Sequence, residues 1–133
     1  MQRILTISSK LRNIEHVREF VRQIFKESNL NMNSFNRIFL GISEAVNNAM
    51  IHGNHMNPEK NVFIKMNLQG NTINVEVEDE GNGFNDLHLF DPTNRENIKH
   101  EHGRGIYILS KIADELTFKD NGKRVFIQFT IPE

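Results

Sequence analysis

The chain has 133 residues, of which 38% are hydrophobic and 25% charged, and it contains no cysteine. This length suits one globular domain and is too short for two, so we expect a single domain over residues 1–133. The net charge of -1 provides no excess of positive charge for nucleic acid or an anionic membrane. The lack of cysteine excludes disulfides and thiolate chemistry. Because no segment resembles a signal peptide or a membrane span, the sequence predicts a cytoplasmic protein.

The first part of the chain predicts a short strand and two helices. Ile4–Ile7 is apolar but long enough only for an edge strand. From Asn13, a candidate N-cap, apolar residues recur at the spacing of an amphipathic helix. A second apolar stripe from Phe35 to Met50 predicts a longer helix.

Beyond this helix the hydrophobic period becomes that of a strand. Val62–Leu68 and Ile73–Val77 alternate apolar and polar residues, and Gly70-Asn71 between them predicts a tight hairpin. The segment 84–102 is polar and too long for an ordinary connection. A segment of this kind is typical of a loop that moves or binds a ligand.

A helix and a second hairpin are predicted at the end of the chain. Helical spacing returns from Ile106 to Ala113. Leu116–Phe118 and Val125–Phe129 then alternate around Asn121-Gly122, a pair suited to positive φ. The order of elements favours an α/β (α+β) fold, a two-layer sandwich in which helices cover one face of a mixed, mostly antiparallel sheet.

Four residues of the second helix are spaced to form a polar stripe: Gly41, Glu44, Asn48 and His52. A carboxylate that can accept a proton and an amide oxygen that can bind Mg²⁺ lie one turn apart, at Glu44 and Asn48. The alternative is an ordinary solvated helix face. Glycine and asparagine are poor helix formers, however, so a requirement other than helix stability is expected at these positions.

The strand that begins at Ile73 ends in an acidic, glycine-rich turn. Asp79 has the parity of the apolar strand residues, so its carboxylate is predicted to face the helices. Gly81 and Gly83 follow at alternate positions. The alternative is a simple turn aspartate. An EF-hand loop is excluded because Asp79 follows a strand and no glutamate stands at the twelfth loop position.

A second glycine pair, Gly103-Arg104-Gly105, is predicted to lie immediately before the helix that begins near Ile106. Glycines permit close backbone approach, and a helix N-terminus offers unpaired N–H groups to an anion such as phosphate. A loop that merely turns the chain is the alternative. The Walker and Rossmann phosphate loops are excluded because neither motif occurs in the chain.

Three segments together resemble the motifs of one superfamily: GISEAVNNAMIHGN at 41–54, VEDEGNGF at 77–84 and HGRGIYIL at 102–109. In order, they resemble the N-box and the first and second glycine boxes of the GHKL ATPases, which include gyrase, Hsp90, MutL and histidine kinases. The small size and the EAVxNAxxHG form are similar to the anti-sigma factor serine kinases. The resemblance implies a Bergerat-type ATP-binding fold.

The resemblance implies a role for each matched residue. Glu44 would be the general base for a hydroxyl nucleophile, and Asn48 would hold the Mg²⁺ that bridges the phosphates of ATP or ADP. Asp79 would accept a hydrogen bond from the adenine amino group, and Gly81 and Gly83 would let the backbone pass the base.

Residues of about 85–102 would form an ATP lid, which Gly103, Arg104 and Gly105 would close over the phosphates.

The function implied is that of an ATP- and Mg²⁺-dependent protein serine/threonine kinase. Its substrate would be an anti-anti-sigma partner of the STAS type, a sigma factor would be a further partner, and a homodimer is expected. Two alternatives stay open at this point. One is a nucleotide-gated anti-sigma binding module without significant kinase activity, and the other is an accessory GHKL ATPase domain.

Overall fold

This computed structural model describes residues 1–81 and 101–132. For residues 101–104 it describes only the backbone. The described residues form three α-helices, α1 Ile14–Glu27, α2 Phe35–Asn48 and α3 Glu101–Ile112. Five strands lie in the same described part of the chain, β1 Gln2–Ser8, β2 Asn61–Gln69, β3 Thr72–Asp79, β4 Glu115–Lys119 and β5 Arg124–Thr130. The predicted order of elements is confirmed.

The strands form one sheet in the order β1-β2-β3-β5-β4. Gly70-Asn71 makes the predicted turn between β2 and β3, with Gly70 at a φ of +61° and Gln69 opposite Thr72. The connection from β4 to β5 has positive φ at Asn121 and Gly122, as predicted. A mostly antiparallel sheet was predicted, and every pairing of the described strands is antiparallel.

The helices cover one face of this sheet. Inward-facing residues of β2 and β3, among them Val62, Ile64 and Val77, are fully buried with the apolar stripes of α1 and α2. The opposite face is mostly polar, and there the Arg124 guanidinium lies 2.6 Å from the Glu76 carboxylate. The predicted two-layer sandwich with helices on one face is therefore confirmed.

The edge strand β1 uses only part of its apolar character for the core. Ile7 is buried and Leu5 packs against the core, whereas Ile4 is 63% exposed. Ile4 is thus the apolar side chain of β1 that stays largely exposed to solvent. Among the described helices, none combines the length and the apolar character that crossing a bilayer requires.

The start of α1 differs from the predicted N-cap. Asn13 directly precedes the helix, but its backbone is already helical and its side chain caps no N–H group. Instead its amide nitrogen donates to the carbonyl and to the hydroxyl oxygen of Ser8, both at 2.9 Å. The side chain therefore ties the start of α1 to the end of β1.

The helical spacing predicted that Gly41 lies in the polar stripe of α2, but the structure places it in the packed interior. It is buried, and a Cβ atom at this position would lie 2.9 Å from Cζ of Phe129 and 3.4 Å from a methyl group of Leu109. Phe129 belongs to β5 and Leu109 to α3, so the glycine lets α2 approach both elements. Packing explains this poor helix former.

We expect Gly41→Val to lower the free energy of unfolding by about 2 kcal/mol, because overpacking against a buried ring outweighs the small gain in helix propensity. Urea denaturation measures the effect, and Leu40→Val at an exposed position of the same helix is the matched control. Adding Phe129→Leu should restore part of the loss. Strict additivity of the two substitutions would contradict steric conflict at this contact.

Candidate functional site

The helix α2 does not end as a regular α-helix. Its last residue, Asn48, is followed by a π turn over Ala49–Gly53, and His55 and Met56 then take positive φ. The α-helical period stops at Asn48, so the predicted stripe cannot be extended to His52. π turns are rare in proteins, and those that occur are often found at functional sites.

Glu44 lies where α2 meets α3. A Cβ atom on Gly105 would stand 2.7 Å from Oε2 of Glu44, so the carboxylate is packed against the bare backbone of α3. Glu44 is half-buried. The structure therefore brings the predicted acid together with the second glycine pair, although about 60 residues separate them in the chain.

Asn48 is half-buried and follows Glu44 by one turn of the same helix. Its neighbour Asn47 has a buried side-chain oxygen that finds no hydrogen-bond partner among the described residues. Amide and carboxylate oxygens are ligands that suit Mg²⁺. Asn48 and Glu44 thus present suitable oxygen atoms along one helix, and the metal-binding role of Asn48 stays a prediction.

Asp79 ends β3 with its side chain turned toward the helices, as strand parity predicts, and only 2% of it is exposed. The N–H of Gly81 donates to Oδ1 at 2.8 Å. A Cβ atom on Gly53 would stand 2.2 Å from Oδ2, and one on Gly81 would stand 2.0 Å from the carbonyl oxygen of Gly53. The carboxylate is held in a cradle that only glycine backbone fits.

The cradle changes the acidity of the carboxyl group. Burial raises the pKa of Asp79 from 3.8 to about 6, while the hydrogen bond from Gly81 and the positive charge of Lys123 act in the opposite direction. At neutral pH the group is therefore a buried carboxylate that accepts one hydrogen bond from the described residues. Such a group favours a ligand that offers an N–H donor.

The second glycine pair lies inside α3 and not in a loop before it, so that prediction is wrong. The helix begins at Glu101, two residues ahead of Gly103. The close approach of Glu44 leaves no room for a Cβ at Gly105, so packing between helices accounts for this glycine.

Several predicted site residues cannot be placed. Gly83 and the predicted lid up to residue 100 lie outside the described residues, as does the side chain of Arg104. The residues that are placed fall into two groups along α2 and its π turn. Glu44 with Gly105 forms one group, and Asp79 with Gly81 and Gly53 forms the other.

No role was predicted from the sequence for Gly53 and Asn54, two residues near Asp79. A glycine at a helix end normally indicates a C-cap with positive φ, but Gly53 is not among the residues with positive φ. Its role is steric. Asn54 is 1% exposed and makes three hydrogen bonds through its side chain. The only available signal was the presence of both residues in the 41–54 motif.

A separate pocket of about 250 Å³ lies on the open face of the sheet, where Lys65, Glu76 and Phe126 contribute to its lining. It shares no residue with the two groups described above. None of the residues predicted from the sequence to form the site lines this pocket, so the candidate site is placed on the helix-covered side of the sheet.

We expect the free energy of unfolding of the ligand-free protein to fall from roughly pH 4 to pH 6, because the unfolded chain ionises Asp79 before the folded chain does. Asp79→Asn should remove this fall and be the more stable protein at pH 8, by about 2–3 kcal/mol. Urea denaturation across this pH range measures both effects.

Glu115→Gln, at an exposed position of β4, is the control and should keep the wild-type pH dependence. Parallel stability curves for the wild type and Asp79→Asn would show that burial of the charge is not destabilising.

Comparison with known proteins places these residues in a family. The histidine kinase-like ATPase domain family matches residues 7–129. The anti-sigma F factor of Thermoanaerobacter sp. (strain X514) is 30% identical over 129 residues, which cover 95% of this chain and 90% of that protein. The anti-sigma F factor of Bacillus subtilis (strain 168) is 32% identical over 83 residues, which cover 62% of this chain and 57% of that protein.

The fold has a solved counterpart. The structure of the RsbU and RsbW domains of Rv1364c from Mycobacterium tuberculosis aligns with a TM-score of 0.65 over 98% of this chain and 32% of that chain, at 16% identity. The described residues that gather around Glu44 and Asp79 all lie within the matched range. The chain therefore belongs to the histidine kinase-like ATPase domain family, in the group that includes the anti-sigma F factors, and this membership implies that it binds nucleotide.

Proposed function

We propose that the protein is an ATP- and Mg²⁺-dependent serine/threonine kinase that acts as an anti-sigma regulatory factor. The observation that carries the proposal is the Glu44 carboxylate, which lies one helical turn before Asn48 and packs against Gly105 of α3. A protein that only held a nucleotide would not need a carboxylate at this end of the site.

Asp79 is proposed to recognise adenine. An ionised and buried carboxylate has a strong preference for a hydrogen-bond donor. The exocyclic amino group of adenine is such a donor, whereas guanine presents a carbonyl oxygen at the same ring position. The glycine cradle of Gly53 and Gly81 supports this role, because close packing of glycine backbone holds the carboxylate in one place.

Asn48 is proposed to contribute an oxygen ligand to Mg²⁺. The metal would neutralise the charge of the phosphates, which is a main requirement of phosphoryl transfer. Asn48 stands between Glu44 and Gly53 along the chain, which supports a position between the proposed phosphate and base ends of the nucleotide.

Glu44 is proposed to orient the hydroxyl group of the protein substrate and to accept its proton as the oxygen attacks the γ-phosphate. ADP is then the leaving group, and the phosphorylated hydroxyl is the product. Because positioning contributes more than covalent chemistry in this reaction, the rigid contact between Glu44 and Gly105 supports the role.

The partners are proposed from the names of the relatives, which are anti-sigma F factors. The substrate would be an anti-anti-sigma protein of the STAS type and the second partner a sigma factor, so the site of action would be the cytoplasm. A homodimer remains a prediction, supported by the exposed Ile4 on the edge strand β1.

We expect the wild type to bind ATP and ADP with micromolar affinity in calorimetry. Asp79→Asn should weaken binding at least about tenfold, since it removes a hydrogen bond to a charged acceptor. Asn48→Ala should remove the dependence of affinity on Mg²⁺. Asn36→Ala, at an exposed position of the same helix, is the matched control. A folded wild type that binds no nucleotide would refute the proposed function.

Glu44→Gln should keep ATP affinity within a few fold and lower phosphoryl transfer by about a hundredfold or more, because general-base catalysis is lost. Transfer is measured with radiolabelled ATP and STAS-domain proteins of the source organism, with the exposed Glu19→Gln as the control. The product should be stable to acid, as phosphoserine and phosphothreonine are.

Two results would contradict kinase activity of this type. An acid-labile product would indicate a phosphohistidine and an accessory ATPase domain. Nucleotide-dependent control of the partner that persists in Glu44→Gln, with no transfer by the wild type, would indicate a gated binding module.

A further inference from the structure

We propose that Asn54 is a positioning residue that fixes the adenine-recognising carboxylate of Asp79 against the end of α2. This inference rests on the proposed function, because it assigns to Asn54 an effect on the base contact of that same site. Its basis is a buried hydrogen-bond node that joins segments far apart in the sequence.

The side chain of Asn54 contacts three parts of the chain. Its amide nitrogen donates to Oγ of Ser9 and to the carbonyl oxygen of Asn61, both at 2.9 Å. Its amide oxygen accepts from the N–H of Glu80 at 2.8 Å. Because its own N–H donates to the carbonyl of Ala49, Asn54 also closes the π turn. One residue thus joins the end of α2 to the ends of three strands.

Only an amide satisfies these partners. The N–H of Glu80 needs an acceptor and the carbonyl of Asn61 needs a donor, which also fixes the orientation of the amide group. An aspartate would set an oxygen against the Asn61 carbonyl, and an apolar residue would leave both backbone groups without partners. With 1% exposure, water cannot easily replace the side chain.

The hydrogen bonds of Asn54 lie next to the Asp79 cradle in two ways. Glu80, whose N–H binds Asn54, follows Asp79 directly, and Gly53, whose backbone packs against the carboxylate, precedes Asn54 directly. The hydrogen bond between Asn54 and Glu80 therefore holds the two walls of the cradle together. Without it, the carboxylate and the Gly53 backbone can separate, and the acceptor moves relative to the base.

A second set of contacts makes the node rigid from the strand side. Oγ of Ser9 donates to the carbonyl of Lys60 at 2.8 Å, and the N–H of Asn61 donates to the carboxylate of Glu80 at 2.9 Å. These bonds join β1, β2 and the turn after β3 independently of Asn54. Loss of Ser9 therefore provides a control that weakens the node but leaves the bond between Asn54 and Glu80.

The test compares the affinity for ATP with that for purine riboside triphosphate, which lacks the 6-amino group. The wild type should prefer ATP. Asn54→Ala should reduce this preference about tenfold, the effect of losing one hydrogen bond to a charged group, while affinity for purine riboside triphosphate changes by less than about threefold. Ser9→Ala should keep the preference, even where urea denaturation shows a similar loss of stability.

Asn54→Ser leaves room for water beside the unpaired groups and is expected to reduce the preference in the same way, so it serves if Asn54→Ala does not fold. A preference that is unchanged in the folded Asn54 variants overturns the inference, as does an equal loss of affinity for both nucleotides, which indicates a purely structural role. A wild type that shows no ATP binding or no preference overturns the proposed function instead.

Discussion

The burial of an ionisable carboxylate at the end of β3 is the constraint on which the rest of the site depends. Asp79 is 2% exposed, and desolvation opposes its ionised form. Such a group is retained only where backbone N–H groups and close packing hold it in one place. Gly53 and Gly81 supply that packing, since a side chain at either position would collide with its surroundings. Burial of the carboxylate is unfavourable for stability, but it holds a hydrogen-bond acceptor in one position.

The helix α2 and its π turn connect this carboxylate with the other candidate site residues. Its π turn brings Gly53 to Asp79, and its middle places Glu44 against Gly105. Glycines therefore stand at both ends of the candidate site for the same steric reason, the close approach of a carboxylate to a neighbouring backbone. Asn48 lies between the two ends along the chain, so α2 and its π turn connect the candidate groups.

Much of the fold could be predicted because the signals are local. The apolar stripes of α1 and α2 and the alternation in β2 and β3 each lie within one element, where helix and strand geometry determine which side chains share a face. The inward orientation of Asp79 follows from the same rule. The resemblance of three motifs to GHKL ATPases indicated the family, and that membership is confirmed by the match over residues 7–129.

The sequence by itself therefore determined the elements, the layer arrangement and the residue types of the candidate site. Only the tertiary structure decided why particular residues occupy particular places. It showed that Gly41 and Gly105 are required by packing, that α3 begins before the second glycine pair, and that Asn54 joins the strand ends to α2. The physical reason is that each of these features depends on a contact between segments distant in the chain, which no local period or propensity records.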